Sequence, residues 1–179
     1  MTEFSVILAK PWHCGQMARL LRSEHAQAIA MIGMDSHREL KKIFDVSLFR
    51  RVWLIDGALA GLGGVTGSTM SSEGFIWLAL SNKARKYPVA VVKEARRQLA
   101  EIMEVKRELA TTVLNGDTAA KRMAIFLGFH VSDYGPGAPA SSREGRCRLS
   151  AYLEAEPDVR VPVGASFAIA MGYHREGHP

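Results

Sequence analysis

Two cysteines, Cys14 and Cys147, are all that the chain contains, and they lie far apart in sequence. A small disulfide-built scaffold needs more, and a zinc site needs clustered ligands. The pair therefore reads as two free thiols in a reducing compartment. A cytoplasmic location is expected, and no catalytic metal. Long apolar runs are also missing. No stretch approaches the length that crosses a bilayer, so no membrane association is expected. The opening MTEFSVILAKPW places Glu3 where a signal peptide would be basic, and its apolar run is short. Aromatic residues are only 8%, and the most basic stretch holds a single one, Tyr87. That is too few for a base-stacking platform, so nucleic acid is not an expected partner. Neither a phosphate-binding Walker loop nor a dinucleotide fingerprint occurs. Gly61-Leu62-Gly63-Gly64 lies inside a strand pattern, the wrong context for either.

What is present suits one globular domain. Hydrophobic residues make up 47% and charged residues 23% of 179, enough to bury a core without staples. The net charge is +5 and favours anionic partners. Its distribution is uneven: Lys83, Arg85, Lys86, Lys93, Arg96 and Arg97 face one acid, Glu94, within fifteen residues. Such a stretch is either a solvated helix face or an anion site.

The pattern along the chain alternates strands and helices. Residues 4–9 predict a first strand, ended by Lys10-Pro11. Mixed three- and four-residue spacing of Met17, Leu20, Leu21 and Ala28 predicts one helix from Gly15 to about Met34, broken at Gly33. Trp12 would staple its start. Ser36 and Glu39 have capping-box spacing for a second helix, Ser36 to Phe44. Arg51–Ile55 and Ala58–Thr66 flank Asp56-Gly57, the strongest short hairpin signal. Gly74–Leu80 is nearly continuously apolar and predicts a strand buried on both faces, with Glu73 just before it. Pro88 suits the first turn of a long helix reaching Met103. Leu109–Leu114 predicts a strand, Ala119–Leu127 a helix capped by Asp117 or Thr118, and Phe129–Tyr134 and Cys147–Leu153 a closing pair of strands. The intervening residues 135–145 are loop by composition.

This order predicts an α/β (α+β) fold, a mixed sheet with helices on both faces. The stretch Thr112–Phe129, TVLNGDTAAKRMAIFLGF, carries a more specific signal. With its strand, its Asn115 turn, its Ala119-Ala120 helix and its terminal Gly128-Phe129, it resembles the GNAT (Gcn5-related N-acetyltransferase) superfamily. The strand, Asp-Gly turn, strand, strand block at 51–80 fits the same family. The resemblance covers about residues 4–153, within an expected domain of 1–154, and implies a single, mainly antiparallel central sheet. Residues 155–179 form an extension expected to pack on the domain or on a partner chain, and a homo-oligomer is one form that would take. A narrower resemblance is to small GNAT-like proteins of tailed bacteriophages, through Ser81, the basic stretch, Tyr87-Pro88 and Arg96-Arg97. In that case the location would be the virion.

The resemblance implies acetyl-CoA (or CoA) as donor and an amine, on a small molecule or a protein, as acceptor. It implies a backbone N–H of Leu78 to Leu80 that polarises the thioester carbonyl, and Asn115 near the pantetheine arm. Base candidates are Glu24, His25, Asp35, His37 and Glu73. Two departures stand out. Residues 81–88, SNKARKYP, contain no glycine where the family normally has a glycine-rich pyrophosphate loop. Lys83, Arg85 and Lys86 would then have to bind the phosphates through side chains. Ala124 stands where the family commonly has a tyrosine that protonates the leaving thiolate. A non-catalytic scaffold role, such as a phage structural or assembly component, is the competing reading, and an obstructed cleft would be its signature.

Overall fold

The computed structural model describes residues 2–30, 35–114, 117–132 and 146–152. Its elements run β1 (Phe4–Leu8), α1 (Trp12–Leu20), α2 (Ser23–Ala30), α3 (Ser36–Asp45), β2 (Arg51–Ile55), β3 (Ala58–Thr66), β4 (Glu73–Leu80), α4 (Pro88–Met103), β5 (Glu108–Leu114), α5 (Thr118–Phe126), β6 (His130–Ser132) and β7 (Arg146–Tyr152). A short 3-10 turn, Ala84–Lys86, precedes α4. The seven strands form one sheet in the order β1-β2-β3-β4-β5-β7-β6. Every neighbouring pair is antiparallel except β4 with β5.

Local chemistry accounts for most boundaries. Asp56 and Gly57 both adopt positive φ, 48° and 71°, and Ile55 pairs with Ala58. That is the two-residue hairpin the Asp-Gly pair demands. The register then slips between Trp53 and Leu54, a bulge that lets Trp53 face Gly61. A Cβ on Gly61 would come within 3.1 Å of the Trp53 ring and of Leu80, so the missing side chain makes room for the indole. Pro88 starts α4, and Gly128, with φ of 96°, follows the end of α5. Of the two caps proposed for α5, Asp117 serves: its carboxylate accepts from the Ala120 N–H at 2.9 Å.

Three sequence expectations are corrected. The single helix from Gly15 to Met34 is two helices, and the first starts at Trp12. Leu21 turns extended, pairs with Ser81, and Arg22 donates its N–H to the Leu80 carbonyl at 3.2 Å. The break is thus made by the end of β4; residues 31–34, with Gly33, lie outside the described residues. α3 is capped by Asp35, which accepts from the Arg38 N–H at 3.0 Å, and not by Ser36. Glu39 therefore sits beyond capping reach and is buried. Trp12 is 63% exposed and staples nothing. The extension 155–179 lies outside the described residues.

The sheet carries helices on both faces. On β4, Trp77 and Ala79 point to α1, α2 and α3, while Ile76, Leu78 and Leu80 point to α4 and α5. This alternation is the period of two of any strand, and it explains the unbroken apolar run: both faces are covered. Each large side chain so buried contributes about 1.5–3 kcal/mol. The Trp77 indole N–H is satisfied by Ser47 Oγ at 2.7 Å, and that hydroxyl donates on to the Ile43 carbonyl at 2.6 Å. Lys106, fully buried, donates to the carbonyls of Ser68 and Ser71 and so pins the β3–β4 connection.

Candidate active site

β4 and β5 are joined over only three residue pairs, Glu73 with Glu108, Gly74 with Leu109 and Phe75 with Ala110. One step further, the Thr111 hydroxyl donates to the Ile76 carbonyl at 3.0 Å, a side chain replacing a backbone bond. Beyond that the strands part. β5 keeps a full antiparallel ladder with β7 on its other edge, so the sheet stays whole while a gap opens inside it.

Backbone alternation decides which groups face the gap. Ser81 donates its N–H to Ala60 on β3, so the odd-numbered peptide groups of this part of β4 point to β3. Leu78 and Leu80 point the other way. Leu80 is already engaged: its N–H donates to His25 Nδ1 at 3.2 Å, and its carbonyl accepts from Arg22. Leu78 is left, with an N–H directed into the gap where β5 has moved away. Within Leu78 to Leu80, Ala79 turns to β3 and Leu80 is engaged, which leaves Leu78 facing the gap.

A partly open apolar cleft of about 100 Å³ lies at this gap on the α4/α5 face. α4 contributes Ala95, Gln98, Leu99 and Ile102. α5 contributes Ala120, Met123 and Ala124. Ile76, Leu78, Thr111 and Val113 form the edges, and the floor continues over Gly63 to Arg51 and Trp53. The N-termini of α4 and α5 both follow the strand ends that part, where helix N–H groups and partial positive charge favour an anion.

The segment leading into α4 is not a phosphate nest. The N–H groups of Ala84, Lys86 and Tyr87 bond to the carbonyls of Ser81, Lys83 and Ala84, closing the 3-10 turn on itself. Pro88 has no N–H to offer. Any anion there must rely on side chains and the remaining first-turn donors of α4. Lys83 Nζ lies 3.8 Å from Asp56, at the β2–β3 turn. Arg85 and Lys86 are exposed. Farther along α4 the basic stretch is knit into the helix: Arg97 pairs with Glu94 and Glu101, each at 2.6 Å, and the Arg96 guanidinium stacks on Phe126 at 4.4 Å. The even choice between solvated face and anion site thus divides along the segment, with Arg96 and Arg97 structural.

The base candidates are not brought together. Glu73 is the first residue of β4 rather than its predecessor, exposed, at the joined end of the strand pair. Five residues of strand, about 16 Å, separate it from Leu78. Glu24 lies on α2. His25 is fully buried, its Nδ1 held as an acceptor, so its proton sits on Nε2. Asp35 is a helix cap, and His37 is exposed on α3. Asn115 lies outside the described residues. Cys14 is buried, and burial pushes its thiol up to about 11, which disfavours the thiolate. Among the described residues no group of three or more His, Cys, Asp or Glu side chains could hold a metal ion, and no helix is long and apolar enough to cross a membrane.

No known family profile and no curated protein matches the chain in sequence. Solved structures do match. A GNAT-family acetyltransferase from Bacillus anthracis superposes with a TM-score of 0.62 at 10% identity, over 85% of this chain and 96% of that one. The ribosomal-protein-S18-alanine N-acetyltransferase from Escherichia coli gives 0.57 at 13% identity, over 90% and 99%. The PaiA N-acetyltransferase from Thermoplasma acidophilum, solved in complex with coenzyme A, gives 0.58 at 11% identity, over 84% and 99%. The fold is therefore the GNAT acetyltransferase fold, as the element order and the Thr112–Phe129 stretch implied.

Sequence reasoning missed the cleft walls. Ala95, Ala120, Met123 and Ala124 repeat at helical spacing like any core face, and only the parting of two strands turns that face into a cleft.

Proposed function

We propose that the chain is an acyl-CoA-dependent N-acyltransferase, with the donor's thioester seated at the β4–β5 gap. The observation that carries this is the outward-facing N–H of Leu78 beside an open apolar cleft. A thioester brings an acyl carbonyl already activated for attack. The Leu78 N–H would hydrogen-bond that carbonyl oxygen and stabilise the charge that develops on it. The amine attacks in its neutral form, the C–N bond forms, the C–S bond breaks, and the amine proton passes to solvent. Ala124 offers no phenol. A thiol with a pKa of about 8.5 is a tolerable leaving group without an acid, so its absence slows the reaction and does not forbid it. The likeness to a structure solved with coenzyme A supports the choice of donor. The open cleft argues against a purely structural scaffold, whose signature would be obstruction.

Lys83, Arg85 and Lys86 would hold the pyrophosphate, because the turn uses its own N–H groups internally. Calorimetry with CoA and acetyl-CoA tests the reading. Replacing Arg85 and Lys86 together by Ala should weaken CoA by about 2–4 kcal/mol, from charge-assisted bonds discounted for exposure. The melting temperature without ligand should stay within a degree or so. If neither CoA nor acetyl-CoA binds below millimolar concentration, the reading fails.

A further inference from the structure

We propose that a second copy of this chain docks on the outer edge of β1, antiparallel and centred on Val6, so that two seven-stranded sheets join into one. β1 stands at the end of the strand order and pairs only with β2. The Ala9 N–H donates to the Arg50 carbonyl, and the Glu3 carbonyl accepts from the Asp56 N–H, so the odd-numbered peptide groups of this strand face β2. Those of Phe4, Val6 and Leu8 face outward, and among the described residues no strand pairs with them. Proteins usually blunt such an edge with charge or proline. Phe4–Leu8, FSVIL, has neither, and charge returns only at Glu3 and Lys10. Among the described residues nine large apolar side chains are exposed, and three of them, Ile7, Leu8 and Trp12, fall within six residues of chain here.

The edge fits itself. A two-fold axis perpendicular to the sheet keeps each helix layer on its own side and sets the two strands antiparallel. Centred on Val6, it opposes Phe4 to Leu8 of the second copy and Val6 to its own counterpart. All three positions have outward-facing groups, so these pairs exchange about six main-chain hydrogen bonds. On the α4/α5 face, Leu8, 57% exposed, gains Phe4 of the second copy as cover. On the α1–α3 face, the exposed Ile7 lies beside Ser5 of the second copy. Charge agrees with the same register. Glu3 of each copy ends beside Lys10 of the other, whereas a parallel pairing sets Glu3 by Glu3 and Lys10 by Lys10. The gap between β4 and β5 lies three strands inward, so the docking stands independently of the chemistry proposed above.

Light scattering after gel filtration of the whole chain, at micromolar concentration, should give the mass of two copies. Leu8→Lys and Ile7→Lys change exposed side chains, so each variant should keep its fold by circular dichroism. Leu8→Lys removes two symmetry-related contacts with Phe4 and should raise the dimer dissociation constant at least about tenfold. Ile7→Lys should weaken the dimer from the other face. Val6→Cys tests the register. Its two thiols lie at the axis, with Cα atoms about 5.5 Å apart, within disulfide reach. Mild oxidation should therefore link Val6→Cys into a covalent dimer. The two copies of Leu8 lie about four residues apart along the strands, roughly 13 Å, so Leu8→Cys should link no more than the unmodified chain. A monomer at every concentration overturns the inference. So does a dimer that both lysine variants leave intact, or one that Val6→Cys fails to link, since the contact or its register would then lie elsewhere.

Discussion

Glu39 offers a direct test of how this structure distributes charge. It sits on α3, 2% exposed, and its Oε1 has no hydrogen-bond partner. Burial raises its pKa, and the nearby Lys42 charge opposes that only in part. The sign follows from linkage. The folded-state pKa lies above the unfolded value of about 4.3, so the folded form holds the proton more tightly. Glu39 therefore supports folding most below about pH 4, and that support is lost as pH rises through the raised folded value. Above it the carboxylate is ionised in both states and the cost is constant. Glu39→Gln keeps the shape and removes the charge. A buried oxygen without a partner costs about 1–3 kcal/mol, and the amide still leaves a polar group there, so the gain should be near 1 kcal/mol at pH 8. For a chain of this size that is about 2–4 °C in melting temperature. As pH falls and the wild-type side chain takes up its proton, the two proteins should converge, so the difference at about pH 4 should be smaller than at pH 8. Urea denaturation at both pH values measures this. A variant less stable than wild type at pH 8 would refute the reasoning, because it would mean that the carboxylate is held by a favourable partner.

Ser47→Ala should destabilise by about 1–3 kcal/mol, since it strands the buried Trp77 indole N–H; the urea midpoint reports it, and a change under about 0.5 kcal/mol would mean the indole finds another acceptor. Asp117→Ala should cost about 0.5–2 kcal/mol through loss of the α5 cap, read by the same denaturation. Cys14 should resist iodoacetamide at pH 8 in the native protein and react once unfolded, because burial disfavours its thiolate; peptide mapping that finds it alkylated in the native state would contradict its placement.

The sequence made some elements plain because their causes are local. Pro88 to Met103 is marked by a proline at its start and one apolar face. The Asp56-Gly57 hairpin is marked by the residues that tolerate positive φ. What escaped has distant causes. Leu21 and Arg22 read as helix, but the end of β4 offers them Ser81 and the Leu80 carbonyl, and the helix breaks there. Asp35 and Ser36 are both acceptable caps, and the choice follows from where α3 must start to bury Leu40 and Phe44. The candidate site was legible only as a neighbourhood. Leu78 and Leu80 are alike as sequence and share one strand parity; what tells them apart is His25, fifty-five residues from Leu80, which takes the Leu80 N–H.

The place of β7 has a consequence for synthesis. It is the last described strand to be made, yet it belongs between β5 and β6. Chains emerge from the ribosome at about 5–20 residues per second, N-terminus first. β1 to β4 can assemble as they appear, since each is the sheet neighbour of the one before. β5 then has only its three-pair edge against β4, and β6 has no neighbour in the sheet at all, until Arg146–Tyr152 has been translated. The growing chain thus carries an open β5 edge while residues 115–145 are made, and insertion of one late strand closes it.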